Sequence, residues 1–412
     1  MMINSGDTAW VLIATALVML MTIPGLALFY GGLVRRKNVL ATMMQSFFVL
    51  CLISLQWILF GYSLSFGPDK WHLIGNLSWF GLNGVGASPN ATYAATIPHI
   101  LFMAFQMMFA VITPGLITGA FAERMKFSTY VVFTLLWATL VYNPVCHWIW
   151  GAGGWLGKMG VMDFAGGLVV HVTAGFSALV CALYMGSRRG YGKEPMPPHN
   201  LPLTIIGAGL LWFGWFGFNA GSALGANAVA ATTFVVTNTA AATAALTWML
   251  IEWKITGKPT LLGGATGAVA GLATITPASG FVSPISAIII GIAASLICYF
   301  SVAVVKLKFS YDDSLDAFGV HGIGGLVGVI FTGALAQKIL NPAGNNGLFF
   351  GNVPQLGIQA FGSLIVIIYS VGMTFAMLKI LDLTMGLRVS DEEEVIGLDI
   401  TQHEESAYTL LD

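Results

Sequence analysis

Long stretches of this chain carry no charge at all, and several are long enough to cross a lipid bilayer. The segments WVLIATALVMLMTIPGLALFYGG (residues 10–32) and YVVFTLLWATLVYNPV (130–145) contain no Asp, Glu, Lys or Arg. At about 1.5 Å of helical rise per residue, such segments cross or nearly cross a hydrocarbon core of roughly 30 Å. Hydrocarbon offers no hydrogen-bond partners, so a spanning backbone must be helical or belong to a closed barrel. Strict apolar/polar alternation, the mark of barrel strands, is missing, which leaves helices. Composition agrees: 57% of the 412 residues are hydrophobic and only 8% are charged, far from the balance of a soluble domain.

Cutting the sequence at its charged and Pro/Gly-rich segments predicts eleven spans, near 8–32, 39–65, 97–122, 127–149, 162–186, 201–220, 229–253, 261–277, 281–305, 315–338 and 355–382. The first lacks the basic flank of a signal peptide and is read as a retained helix. If residue 1 lies outside, fourteen of the seventeen Lys and Arg residues fall on inner connections, including RRKN (35–38), ERMK (123–126), SRRGYGK (187–193), KITGK (254–258) and KLK (306–308). This positive-inside pattern predicts an outer amino terminus and a cytoplasmic carboxyl terminus. The expected organisation is an all-α polytopic membrane domain over residues 1–384 with a cytoplasmic tail over 385–412. Cys51, Cys146, Cys181 and Cys298 stand far apart in apolar surroundings and read as buried free thiols.

Two ionisable pairs interrupt the apolar pattern. DFAGGLVVHVTAG (163–175) opens span five with Asp163 and carries His171, and DAFGVHGIGG (316–325) opens span ten with Asp316 and carries His321. Five spans is an odd number, so a second set of five would be inverted relative to the first. Each Asp is expected to cap its helix, which brings both imidazoles towards the membrane midplane. Ionisable groups at that depth mark function, and neutral imidazoles can pass a proton between ring nitrogens while the wall around them stays apolar. No third ligand of suitable type lies at their depth, so no metal is expected.

Aromatic residues supply the next element. FQMMF (105–109) sets Phe105 and Phe109 on one helix face, YNPVCHWIWGAGG (142–154) puts Trp148 and Trp150 at an outer end, and WFGWFGFNAGSA (212–223) spaces Phe218 and Ser222 by one turn. Near an outer vestibule such rings could hold a small cation by cation–π attraction. His147 and Trp148 read as interfacial residues.

The motifs GLALFYGGLVRRKNVL (25–40), FQMMFAVITPGLITGAFAERMKF (105–127), DFAGGLVVHVTAG, WFGFNAGSA, DAFGVHGIGG and GLRVSDEEEVIGLDITQHEESAY (386–408) together resemble the ammonium transporter, methylammonium permease and Rhesus protein family. The bacterial and archaeal ammonium transporter branch is the nearer likeness. The resemblance implies eleven helices, two inverted five-helix halves plus a final helix, and a homotrimer with one pore per subunit in a prokaryotic cytoplasmic membrane. It implies ammonium recruitment by Trp150, Phe109 and Ser222 with Asp163 nearby, a pore gate of Phe109 and Phe218, and a passage lined by His171 and His321. Phe29, Phe105 and Trp215 are expected to add aromatic lining. Ammonium, ammonia and methylammonium are the implied substrates, with no cofactor and no nucleic-acid partner.

The acidic tail reads from composition as solvated and partly disordered. Its likeness to the family implies instead an ordered regulatory segment, with Arg388, Asp391, Glu392, Glu393, Asp399 and Tyr408, that packs under neighbouring subunits and docks a PII-type signalling protein. An ammonium sensor is a competing reading, although no output domain is visible. An intramembrane enzyme built on Ser222 and a histidine is the other, although a GxSxG context is absent.

Overall fold

A computed structural model describes residues 2–408; residues 409–412, the end of the expected tail segment, lie outside the described residues. The chain folds as the helices α1 (Ser5–Leu33), α2 (Arg36–Phe66), α3 (His99–Phe121), α4 (Phe127–Met159), α5 (Gly167–Met185), α6 (Leu201–Gly221), α7 (Ala228–Thr256), α8 (Leu261–Ile275), α9 (Pro284–Phe309), α10 (Phe318–Leu335) and α11 (Val353–Thr384). Among the described residues ten helices are long and apolar enough to cross a membrane. The remaining one, α8, has 15 residues and is almost wholly buried, so it needs no lipid-facing surface. The predicted spans and the observed helices coincide to within a few residues except at the end of α4, which continues past a Gly-rich break to Met159.

Packing repeats along the chain. Helix α2 lies on α3 as α7 lies on α8; α1 lies on α3 as α6 on α8; and α3 packs on α5 as α8 on α10. Helix α1 lies against α6 and joins the two sets, and α11 packs on α5 and α10 from outside. The polar segment 67–98 forms two small antiparallel hairpins, Asp69–Lys70 with Ile74–Gly75 and Pro89–Asn90 with Ala94–Pro98, the only strand pairs among the described residues.

Both histidine helices start with a π-helical turn, Gly167–Val172 and Phe318–Gly322. Such turns widen a helix and redirect its side chains. Helices α5 and α10 cross at glycines: a Cβ on Gly175 would collide with the backbone of Gly322, and one on Gly325 would press on the His171 Cβ. Only hydrogen at these positions permits the close crossing.

Four expectations are corrected. Asp316 does not cap α10. That role falls to Asp313, whose carboxylate accepts the backbone N–H groups of Ala317 (3.1 Å) and Phe318 (2.8 Å), while Asp316 pairs with Lys306 at 2.6 Å. Cys51 is exposed, because the outward face of α2 is apolar and needs no burial; the other three cysteines are buried. His147 is not interfacial: it is fully buried, with Nδ1 2.9 Å from the Ser65 carbonyl and Nε2 2.9 Å from Asp69 Oδ1, and it ties the first hairpin to α4. Up to residue 408 the tail is ordered, because its helices α12 (Asp391–Ile396) and α13 (Leu398–His403) find backbone partners on the body.

Those partners are specific. Asn38 accepts the Leu398 N–H (2.8 Å), Asp399 accepts the Ala41 N–H (2.8 Å), and Lys37 Nζ donates to the last carbonyls of α12, Glu394 (2.7 Å) and Val395 (2.6 Å). Arg388 pairs with Glu394 at 2.6 Å, Glu393 closes a capping box with Ser390, and Tyr408 meets His199 at 3.0 Å with Arg36 over its ring. Asp391 and Glu392 project to solvent. Beneath the helices Asp312 takes a bidentate pair from Arg188 (both 2.9 Å) and a third contact from the fully buried Arg124 (3.2 Å). Burial of Asp312 pushes its carboxyl up, but the Arg188 and Arg124 guanidiniums outweigh that effect and hold it below the ordinary carboxylate range.

A vestibule, a ring pair and a histidine chamber

At the end opposite the tail, a vestibule of about 500 Å³ is lined by Trp150, Asp163, Ser222 and residues of the hairpin segment. Asp163 fixes its floor. One carboxylate oxygen accepts Gly166 N–H (2.8 Å) and Gly167 N–H (2.6 Å); the other accepts Leu168 (2.7 Å) and Val169 (3.1 Å). Four donors at the start of α5 are thus satisfied by one side chain, which also places negative charge at the positive end of the helix. The Asp163 carbonyl accepts the Trp150 indole N–H at 2.8 Å, so the cap also orients the aromatic wall. The Ser222 hydroxyl donates to the Phe218 carbonyl (2.9 Å), leaving its oxygen lone pairs to accept from a donor in the vestibule.

Below the vestibule stand two rings. Phe109 lies 4.3 Å from Phe218 between centroids at an interplanar angle of 35°, and meets Trp150 edge-on at 5.9 Å. Both phenyl rings are buried. Phe218 in turn stacks over His171 at 6.1 Å, and His171 over His321 at 5.2 Å with planes 13° apart. Rings and imidazoles thus form one line from vestibule to interior.

The interior is narrow and apolar. His171 and His321 share a chamber of about 10 Å³ with Phe29, Val170, Trp215 and Phe218, space for roughly one water-sized molecule. Both nitrogens of His171 and Nδ1 of His321 have no hydrogen-bond partner within the protein. Buried polar groups are normally satisfied, so three unpartnered ring nitrogens in one chamber point to a ligand that donates and accepts hydrogen bonds. Beyond His321 a second chamber of about 60 Å³, lined by Phe29, Tyr30, Leu315 and Asp316, continues towards the tail end.

The sequence-predicted residues divide accordingly. Trp150, Ser222 and Asp163 meet at the vestibule, Phe109 and Phe218 meet beneath it, and His171, His321, Phe29 and Trp215 meet inside. Phe105 stands apart. It packs edge-on against Phe109 at 5.0 Å and against Gly221, fully buried and outside both chambers, because its side of α3 faces α1 and α6. Trp215 presents its ring to His171 at 5.6 Å, while its N–H is committed to Thr276 (2.9 Å), itself bonded to Asn219 (3.2 Å). Arg388, Glu393, Asp399 and Tyr408 hold the tail in place and take no part in the vestibule lining. Sequence reasoning missed Tyr93, Phe102, Gln106 and Asn341 on the vestibule wall. Tyr93 arrives from the hairpin segment, where no periodicity marks it, and its hydroxyl accepts the Ala152 N–H at 2.6 Å.

Ser222 does not form a nucleophile–base pair, because its hydroxyl is bonded to its own helix and the Phe109/Phe218 pair separates it from His171.

Comparison with known proteins agrees with this architecture. The profile described as the Ammonium Transporter Family matches residues 9–408. The chain is 51% identical to an ammonium transporter of Bacillus subtilis, covering 98% of both chains, and 51% identical to a putative ammonium transporter of Methanothermobacter thermautotrophicus, covering 100% of both. The crystal structure of Saccharomyces cerevisiae Mep2 superimposes with a TM-score of 0.89 at 36% identity, over 95% of this chain and 88% of that one. With relatives that are transporters and not enzymes, and with the family profile matched over nearly its whole length, the chain belongs to the ammonium transporter family.

Proposed function

We propose that this protein carries ammonium across the membrane by binding it in the vestibule, removing its proton near the Phe109/Phe218 pair, and conducting ammonia past His171 and His321. The observation that carries this reading is the change of environment across those rings. A wide vestibule with a hydroxyl acceptor and aromatic faces lies on one side, and a narrow, mostly apolar chamber with three unpartnered imidazole nitrogens lies on the other. Ammonium and potassium ions are of similar size, so size alone selects poorly. A site of π faces with the Ser222 oxygen rewards an ion that donates hydrogen bonds. Past the rings an intact cation loses its hydration and finds no countercharge, whereas neutral ammonia can hydrogen-bond to each imidazole in turn. Methylammonium, with one methyl in place of a hydrogen, retains the charge and three donors and is the natural analogue substrate.

In this reading eleven spans form two inverted five-helix halves and a final helix, the vestibule faces outwards, and the tail is cytoplasmic. The basic residues gathered at the tail end support that orientation. The host membrane is a prokaryotic cytoplasmic membrane, residues 1–384 form the transport domain, and 385–412 form the regulatory tail. The homotrimer and a PII-type partner follow from the family resemblance. The exposed carboxylates Asp391 and Glu392 are the surface such a partner would meet, and deleting the tail should abolish capture by a PII protein in a pull-down.

The decisive measurement is current on solid-supported membranes during ammonium pulses, alongside uptake into the same vesicles, with potassium as control. A transient for ammonium and none for potassium supports a proton relayed separately through the imidazole pair. Uptake without current indicates net ammonia conduction, and neither uptake nor current for ammonium sinks the transport reading.

A further inference from the structure

The chamber below His321 ends at an ion pair that the recruitment and conduction steps do not use. Lys306, from the end of α9, places its Nζ 2.6 Å from Asp316 Oδ1, and Asp316 shares the chamber wall with His321, Phe29 and Tyr30. His321 is 4% exposed, and its Nδ1 has no protein partner. Asp316 takes a left-handed backbone conformation (φ 60°), which a carboxylate residue tolerates better than most. Because Asp313 takes the capping role, the Asp316 carboxylate is left to its pair with Lys306 at the chamber wall. The pair is partly shielded, with the Lys306 and Asp316 side chains 14% and 28% exposed.

The chemistry of the partner is telling. A lysine side chain ends in a primary alkylammonium group with three N–H donors, an alkyl analogue of the ammonium ion that forms when ammonia leaving the pore gains a proton. We infer that Asp316 is a cation subsite at the exit and that Lys306 is its tethered competitor, which occupies the carboxylate so that newly formed ammonium is released instead of held. The inference rests on the transport reading above. A tethered ammonium at contact distance has a high effective concentration, so free ammonium must displace it to bind. The positive charge of Lys306 also compensates Asp316, leaving the mouth without a net charge that would hold a departing cation.

The test uses full-length protein in vesicles oriented with the tail end facing the lumen, measuring initial ammonium uptake at increasing lumenal ammonium. In wild-type protein lumenal ammonium should inhibit weakly. The substitution Lys306→Met bares the carboxylate and should lower the lumenal concentration that halves uptake by about fivefold, the equivalent of roughly 1 kcal/mol for a partly exposed pair. The half-saturating concentration on the vestibule side should not change. Lys306→Arg should behave as wild type, and adding Asp316→Asn to Lys306→Met should restore wild-type sensitivity. Sensitivity of Lys306→Met equal to wild type overturns the proposal. So does a fall in uptake by the same factor at every lumenal concentration, which marks the pair as merely structural. If wild-type vesicles take up no ammonium at all, it is the transport reading that fails.

Discussion

The two histidine helices begin with the same device and open onto opposite surroundings. Asp163 stands eight residues before His171, and Asp313 eight residues before His321; each carboxylate receives backbone donors from a π-helical first turn. Around the first, Trp150 and Ser222 line a wide vestibule, with the buried Phe109/Phe218 pair beneath it. Around the second, Tyr30, Leu315 and the Lys306–Asp316 pair enclose a chamber of about 60 Å³. Similar backbone frames thus carry different mouths: one presents aromatic faces and the Ser222 hydroxyl, and the other pairs the Asp316 carboxylate with Lys306. The shared part places each imidazole eight residues after its capping carboxylate, and the rest of each mouth differs.

The strongest way to break the comparison is to remove each cap. Asp163 satisfies four N–H groups and Asp313 satisfies two. Asp163→Ala should therefore destabilise the fold by about 3 kcal/mol or more and abolish uptake, with Asp313→Ala losing roughly half as much stability. Thermal unfolding in detergent reads both, and equal losses would end the claim that the caps differ in weight. The imidazoles come next. His171→Ala and His321→Ala should each lower ammonium uptake about tenfold, on the scale of one lost hydrogen-bonding station. Unchanged uptake and selectivity in reconstituted vesicles for either variant would remove that ring from the pathway.

Smaller effects sharpen the contrast between the mouths. Ser222→Ala deletes one neutral acceptor and should raise the half-saturating ammonium concentration about threefold while leaving the maximal rate near wild type. A change confined to the maximal rate would argue that the hydroxyl acts on helix α6 instead. The least effect is expected from acid at the tail end. The carboxyl of Asp312, held low by Arg188 and Arg124 against its burial, contributes stability that is complete above the unfolded carboxylate pKa of about 3.9 and lost as the pH falls through its lower folded value. Limited proteolysis of the tail should accelerate only below about pH 4, and Asp312→Asn should remove that dependence.

Particular residues show how far the sequence could be read. The aromatic and hydroxyl residues of the vestibule and both histidines stand in recognisable motifs, and they meet where spacing along each helix allowed. Asp316 misled, because DAFGVHGIGG copies the look of DFAGGLVVHVTAG while its spacing to the histidine does not match. The matching interval belongs to Asp313, hidden in DDSLD, and only the two hydrogen bonds to Ala317 and Phe318 distinguish them. Phe105 and Phe109 share a helix face by spacing, yet one packs against Gly221 and the other stacks on Phe218. His147 read as interfacial and Tyr93 stood out by no periodicity, because their contacts depend on hairpins that fold back over the mouth.

The sequence by itself determined the helices and their order. In hydrocarbon each span must satisfy its own backbone locally, so composition over some twenty residues decides it. Tertiary structure alone decided which Asp caps α10, which aromatic residues line the histidine chamber, and that His171 and His321 stack at 5.2 Å. Those contacts join residues far apart in the chain, and they depend on helices crossing closely at Gly175 and Gly322, a distance that no local pattern encodes.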